Sequence, residues 1–208
     1  VRRPAPYLYS DSDVQRLLDA AARLTPPFRA ATCVTVLGLL AATGMRVGEV
    51  LGLAPGDVDL AAGVVTITGA KLDRSRLVPL HASVTAALAD YAALRDSLFP
   101  EAAAFFVSSA GRPLAYSTLK GTFNQLTTAA GLRTPARRPR MHDFRHRFAV
   151  RVLADAYRSG ADVAARMTVL SAYLGHAEPA NTYWYLSAAP ELMELAAARL
   201  DGQNRTRP

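Results

Sequence analysis

Val64-Val65-Thr66-Ile67-Thr68 and Arg76-Leu77-Val78-Pro79-Leu80 are two short runs of β-type residues on either side of a polar turn, with Lys71 near its tip. β-Branched side chains suit a pleated surface better than a helix, so the two runs read as an antiparallel hairpin. No other stretch carries so clear a β signal. Nearly everything around it has helical spacing, which predicts a mostly helical α+β fold with one small antiparallel sheet.

Upstream of the hairpin, Arg46 to Leu53 reads as a short helix ended by the turn Ala54-Pro55-Gly56-Asp57. Gly44 suits the C-cap of a helix over Phe28 to Thr43, whose apolar residues run nearly all round and mark it as central. Pro26 and Pro27 separate that helix from an earlier one. Its start at Ser10 and Asp13 resembles a capping box, and Val14, Leu17 and Leu18 supply its apolar face. Val1 to Tyr9, with two arginines and two prolines, reads as a linker from a preceding domain.

Downstream, His81 precedes a helix over Val84 to Leu98 as its cap, and Phe105 to Val107 reads as a strand fragment. Ser117 to Ala130 forms a helix closed by Gly131, and Arg133 to Arg140 a basic loop punctuated by prolines. Further helices are expected over Asp143 to Arg158, Asp162 to Tyr173, Asn181 to Ser187 and Pro190 to Leu200. One domain over residues 10–200 follows, with 201–208 as a frayed tail.

The chain has 208 residues, half of them hydrophobic, which is enough for a real core. Its net charge of +7 points to a polyanionic partner. Nucleic acid fits better than a membrane, because the longest apolar stretch, Ala30 to Ala42, is short for a span and interrupted by threonines. No secretory pattern opens the chain. Cys33, the only cysteine, lies in an apolar helical run and reads as a reduced core residue. A cytoplasmic, nucleoid-associated location is expected.

Several residues carry chemistry. His142 and Arg145 stand three apart at a helix start, where they can aim at one point while free helix N–H groups also favour an anion. A capping histidine and a solvated arginine would be the ordinary alternative. His142 and His146 have the spacing of a zinc helix, but the glutamate of H-E-x-x-H and a third ligand do not accompany them. Arg46 and Glu49 share a helical face, so Glu49 can either orient Arg46 or simply be solvated. Tyr185 follows His176 by nine residues within Leu174-Gly175-His176-Ala177-Glu178-Pro179-Ala180-Asn181-Thr182-Tyr183-Trp184-Tyr185. Arg137, Arg138 and Arg140 form a basic run suited to gripping phosphates without reading sequence.

Thr43-Gly44-Met45-Arg46-Val47-Gly48-Glu49, Leu77-Val78-Pro79-Leu80 after the hairpin, His142-x-x-Arg145, Leu174-Gly175-His176 and Tyr185 fall in the order and spacing of the tyrosine recombinase (lambda-integrase) family. The chain resembles that family's catalytic domain from Ser10 to Leu200. The segment from Arg145 to His176 is longer than in the family. The resemblance implies six active-site positions: Arg46, Lys71, His142, Arg145, His176 and Tyr185. It assigns Lys71 as the general acid for the departing 5′ hydroxyl, and Tyr185 as the nucleophile that forms a 3′-phosphotyrosyl link. Arg74 and Arg76 stand close to Lys71 and are expected to contact DNA. The implied partners are double-stranded DNA, further protomers in a tetrameric synapse and accessory DNA-bending proteins, with no cofactor or metal. A type IB topoisomerase and a non-catalytic DNA-binding regulator are the rival functions.

Overall fold

The computed structural model describes residues 6–68, 75–175 and 190–205, with side chains through residue 199. Lys71, Arg74, His176 and Tyr185 lie outside the described residues, as does the helix expected over 181–187. Among the described residues, no helix is long and apolar enough to cross a membrane. The chain divides into two compact units, Tyr7–Arg145 and a second made of Val1–Pro6 with His146–Pro208.

In the first unit, helix α1 (Asp11–Ala22) starts as its sequence predicts: the Ser10 hydroxyl accepts from the Asp13 backbone N–H, and the Asp13 carboxylate accepts from the Ser10 N–H. Helix α2 (Pro27–Thr43) begins with proline at N1, where no N–H is needed, and buries residues on all sides, including Val36, Leu37, Leu39 and Leu40. It ends at Gly44, whose φ of 64° closes the helix in the left-handed region that glycine enters without steric cost. A short helix α3 (Val47–Leu51) and a 3-10 turn over Pro55–Asp57 lead into the sheet.

The sheet has three antiparallel strands in the order β1 (Val58–Asp59), β2 (Val64–Ile67), β3 (Arg76–Pro79). The expected hairpin is β2 and β3, paired Val64 to Pro79, Val65 to Val78, Thr66 to Leu77 and Ile67 to Arg76. The two-residue strand β1 was not anticipated. It is too short to show an alternation, and Val58 pairs with Val65 through tertiary contact rather than local pattern. Val65, Ile67 and Val78 face the core, while Leu77 is 64% exposed on the other face.

Helix α4 (Ala82–Leu98) is capped by His81, whose Nδ1 accepts from the Ser83 N–H. Beyond it Phe28, Tyr91, Phe99, Phe105 and Phe106 form an aromatic cluster with ring centroids 5.0–5.9 Å apart. Arg95 is buried there: its Nη1 donates to the Phe105 carbonyl at 3.0 Å and its guanidinium lies over the Phe105 ring. The predicted strand fragment at Phe105–Val107 is a single bridge from Val107 to Pro113. Helix α5 (Tyr116–Ala129) ends before Gly131, at φ 69°.

Helix α6 (Asp143–Arg158) has the predicted bounds and begins in the first unit. In the second unit its later residues join α7 (Val163–Leu174) and α8 (Pro190–Arg205) around Ala149, Leu153, Met167, Leu170, Leu174 and Leu192. Asp162 caps α7 by accepting from the Ala164 and Ala165 N–H groups. Helix α8 runs to Arg205, past the expected end at Leu200. Leu192 and Leu195 pack within their own unit, whereas Met193 faces outward.

Candidate active site

Two adjacent chain segments of the first unit bring the predicted cations together. Gly44 turns the chain out of α2, and two residues later Arg46 sits at the N-cap of α3. Arg145, on the first turn of α6, is 1% exposed and donates from Nη1 to the Gly44 carbonyl at 3.0 Å. One peptide unit therefore ends the central helix and receives one of the site arginines, with the other arginine immediately following. His142 lies within the electrostatic reach of both. His142 is itself exposed, yet its pKa is held below the ordinary 6.5 first by partial desolvation, then by the positive charges of Arg145, Arg140 and Arg46, with Asp143 opposing. At neutral pH it is a neutral imidazole that can accept a proton.

Each arginine segment is fixed by a carboxylate three residues on. Glu49 accepts from the Arg46 backbone N–H and from Arg46 Nη1, both at 2.8 Å. Burial pushes the Glu49 pKa up, but hydrogen bonds from Arg76 and from Arg46 outweigh it, so the carboxylate stays ionised below its ordinary range. Asp143 repeats the device at the start of α6. It is fully buried, accepts from the Arg140 N–H at 2.8 Å, and takes the Arg140 guanidinium through Nη2 at 2.8 Å and Nε at 3.1 Å.

Sequence reasoning missed Asp143, although the Arg-x-x-Asp spacing ahead of a helix is a signal that could have found it. It also missed the aromatic brace beneath the His142–Arg145 turn. Tyr9 stacks on Phe144 with centroids 4.6 Å apart and donates from its hydroxyl to the Arg140 carbonyl at 3.2 Å. Arg133 pins the basic loop to α5, donating to Thr127 Oγ1, Asn124 Oδ1 and the Pro139 carbonyl.

The remaining predicted residues are distributed unequally. Arg137 and Arg138 are exposed on the loop. Arg140 is exposed but clasped to Asp143. Arg76 turns its guanidinium onto Glu49, Nη2 to Oε2 at 2.7 Å. Together Arg46, His142 and Arg145 offer two guanidiniums and a neutral base, a set that can hold a phosphate dianion-like charge and move a proton beside it.

The profile described as the Phage integrase family matches residues 8–191. The chain belongs to the phage integrase family. It is 42% identical over 205 residues to y4rE of Sinorhizobium fredii (strain NBRC 101917 / NGR234), named as an integrase/recombinase, covering 96% of this chain and 66% of that protein. It is 37% identical over 165 residues to the tyrosine recombinase XerC of Methylobacterium nodulans (strain LMG 21967 / CNCM I-2342 / ORS 2060), covering 77% of this chain and 46% of that one. This phage integrase family chain thus spans between about half and two thirds of the length of these curated relatives. Among solved structures, the XerA recombinase matches with a TM-score of 0.76 at 27% identity, over 100% of this chain and 67% of that one. The catalytic domain of bacteriophage HP1 integrase shares the fold at a TM-score of 0.60 and 22% identity, over 93% of this chain and 94% of its own. The α+β, mostly helical fold read from the sequence is the fold of integrase-family catalytic domains.

Proposed function

We propose that the chain is the catalytic part of a site-specific DNA recombinase that cuts and rejoins strands through a covalent 3′-phosphotyrosyl intermediate. The observation that carries this reading is the convergence of Arg46, Arg145 and His142 around the Gly44 turn, in a chain of the phage integrase family. Arg46 and Arg145 neutralise the non-bridging oxygens as charge builds on five-coordinate phosphorus. His142 accepts the phenolic proton of Tyr185, whose oxygen attacks phosphorus. The phosphorus–5′ oxygen bond breaks, and Lys71 gives the departing oxygen its proton. His176 adds a hydrogen bond to the phosphate. A 5′ hydroxyl from another strand then attacks the phosphotyrosine and releases Tyr185, so the bond energy is conserved and no nucleotide cofactor is consumed.

Double-stranded DNA is the substrate in this reading. Arg137, Arg138, Arg140 and Arg74 supply positive charge toward its backbone. A lambda integrase structure holds a tetramer on a Holliday junction, and assembly of four protomers on two duplexes is proposed here, with accessory DNA-bending proteins and a cytoplasmic, nucleoid-associated location.

The test selects duplexes bound by the chain from a randomised library, then presents the selected site with a nick next to the scissile phosphate. A denaturation-resistant adduct is expected from the unmodified chain and none from Tyr185→Phe, which should still bind. An adduct of equal yield from the variant rejects Tyr185 as nucleophile. Relaxation of any supercoiled plasmid without site preference would favour a topoisomerase instead.

A further inference from the structure

We propose that Arg76 is a positioning residue that holds Arg46 in place through Glu49, and not a phosphate contact. The inference rests on the recombinase reading for its chemistry and on the sheet register for its geometry. Arg76 pairs with Ile67 in the β2–β3 ladder, and Val65 pairs with Val78. Ile67, Val65 and Val78 are all buried, so the two-residue period of the strands puts Arg76 on the same inward face. Leu77, one residue on, takes the outward face.

An arginine on the inner face of a strand must be matched, because a buried guanidinium without a partner is costly. Glu49 is that match. The ion pair has side-chain exposures of only 19% for Arg76 and 14% for Glu49. The Arg76 Nε is buried and has no hydrogen-bond partner among the described residues. Little of this guanidinium is left facing solvent for a DNA backbone.

The same carboxylate completes the connection. Glu49 Oε2 takes both Arg76 Nη2 and the Arg46 backbone N–H, while Oε1 takes Arg46 Nη1. A freely hinged Glu49 could hold Arg46 in several rotamers. With Oε2 pinned from β3, the carboxylate plane is fixed and Oε1 has one place to offer the Arg46 guanidinium. The sheet therefore sets the aim of a site arginine 30 residues earlier in the chain.

The test compares Arg76→Gln and Arg76→Lys with the unmodified chain on the selected site, measuring affinity across salt and single-turnover adduct formation at saturating DNA. A parallel substrate carries a methylphosphonate at the scissile position, where the neutral group no longer needs a guanidinium to cancel its charge. A positioning role predicts unchanged affinity and salt slope for Arg76→Gln, with adduct formation slowed by about 10- to 100-fold on the phosphodiester. On the methylphosphonate the loss should largely disappear. Arg76→Lys, which keeps a cation for Glu49, should fall between.

Weakened affinity with a salt slope shallower by about one, at an unchanged adduct rate, would make Arg76 a phosphate contact and overturn the proposal. Equal slowing on both substrates would overturn it as well, leaving only a general role in the hairpin. An unmodified chain that forms no adduct would sink the recombinase reading instead. The Arg76→Gln, Glu49→Gln double-mutant cycle in urea unfolding would then decide alone, additive effects ruling out the link.

Discussion

His142 is the residue whose surroundings say most about how the site works. Partial desolvation and three arginines all disfavour its charged form. The sign of the linkage follows from the lowered pKa. Between the folded value and the ordinary 6.5, the unfolded chain binds the proton that the folded chain refuses, so stability rises with pH across that window and is lost as pH falls through it. Urea unfolding between about pH 7.5 and about pH 5 should show this fall, and His142→Gln should flatten it. Adduct formation should rise with pH along a limb whose midpoint lies below 6.5. A midpoint above that value would mean that another group takes the phenolic proton.

The elements position the site through their ends. Asp143 satisfies the start of α6 and clasps Arg140, so Asp143→Ala leaves a donor-rich turn without its acceptor. A loss of about 2–3 kcal/mol is expected in urea unfolding, because charged hydrogen bonds at a buried carboxylate are among the stronger ones. Gly44→Ala puts a Cβ in the left-handed region at φ 64°, for about 1–2 kcal/mol. It should also slow adduct formation, since the Gly44 carbonyl receives Arg145.

Much at this scale was legible beforehand. The Ser10–Asp13 capping box, the all-round apolar α2, the Gly44 cap and the β2–β3 hairpin are local patterns, and local patterns survive in sequence. The partners that decide the site are not local. Arg76 meets Glu49 across 27 positions and Arg145 meets Gly44 across 101. Neither periodicity nor propensity encodes such a pairing, and for that reason Arg76 read as a DNA contact beside Lys71. The bracing of Phe144 by Tyr9 was hidden in the same way, within a stretch read as linker.

For the whole molecule, the excess of seven positive charges is the property a polyanion meets first. DNA affinity should fall steeply with salt, as bound phosphates release their counterions. Arg137→Ala and Arg138→Ala, on exposed loop positions, should each reduce the slope of log K against log salt by about one, uniformly across sequences. Titrations of a selected and an unrelated duplex at several salt concentrations provide the check. A change confined to the selected duplex would mean that these arginines read bases.

The single thiol, Cys33, is buried in α2, and burial raises its pKa. Thiol-directed reagents act on the exposed, deprotonated form, so the native chain is close to inert toward maleimides. One cysteine introduced at an outward position such as Leu77, 64% exposed, would therefore accept a fluorophore selectively, placing a single label on an otherwise unaltered protein.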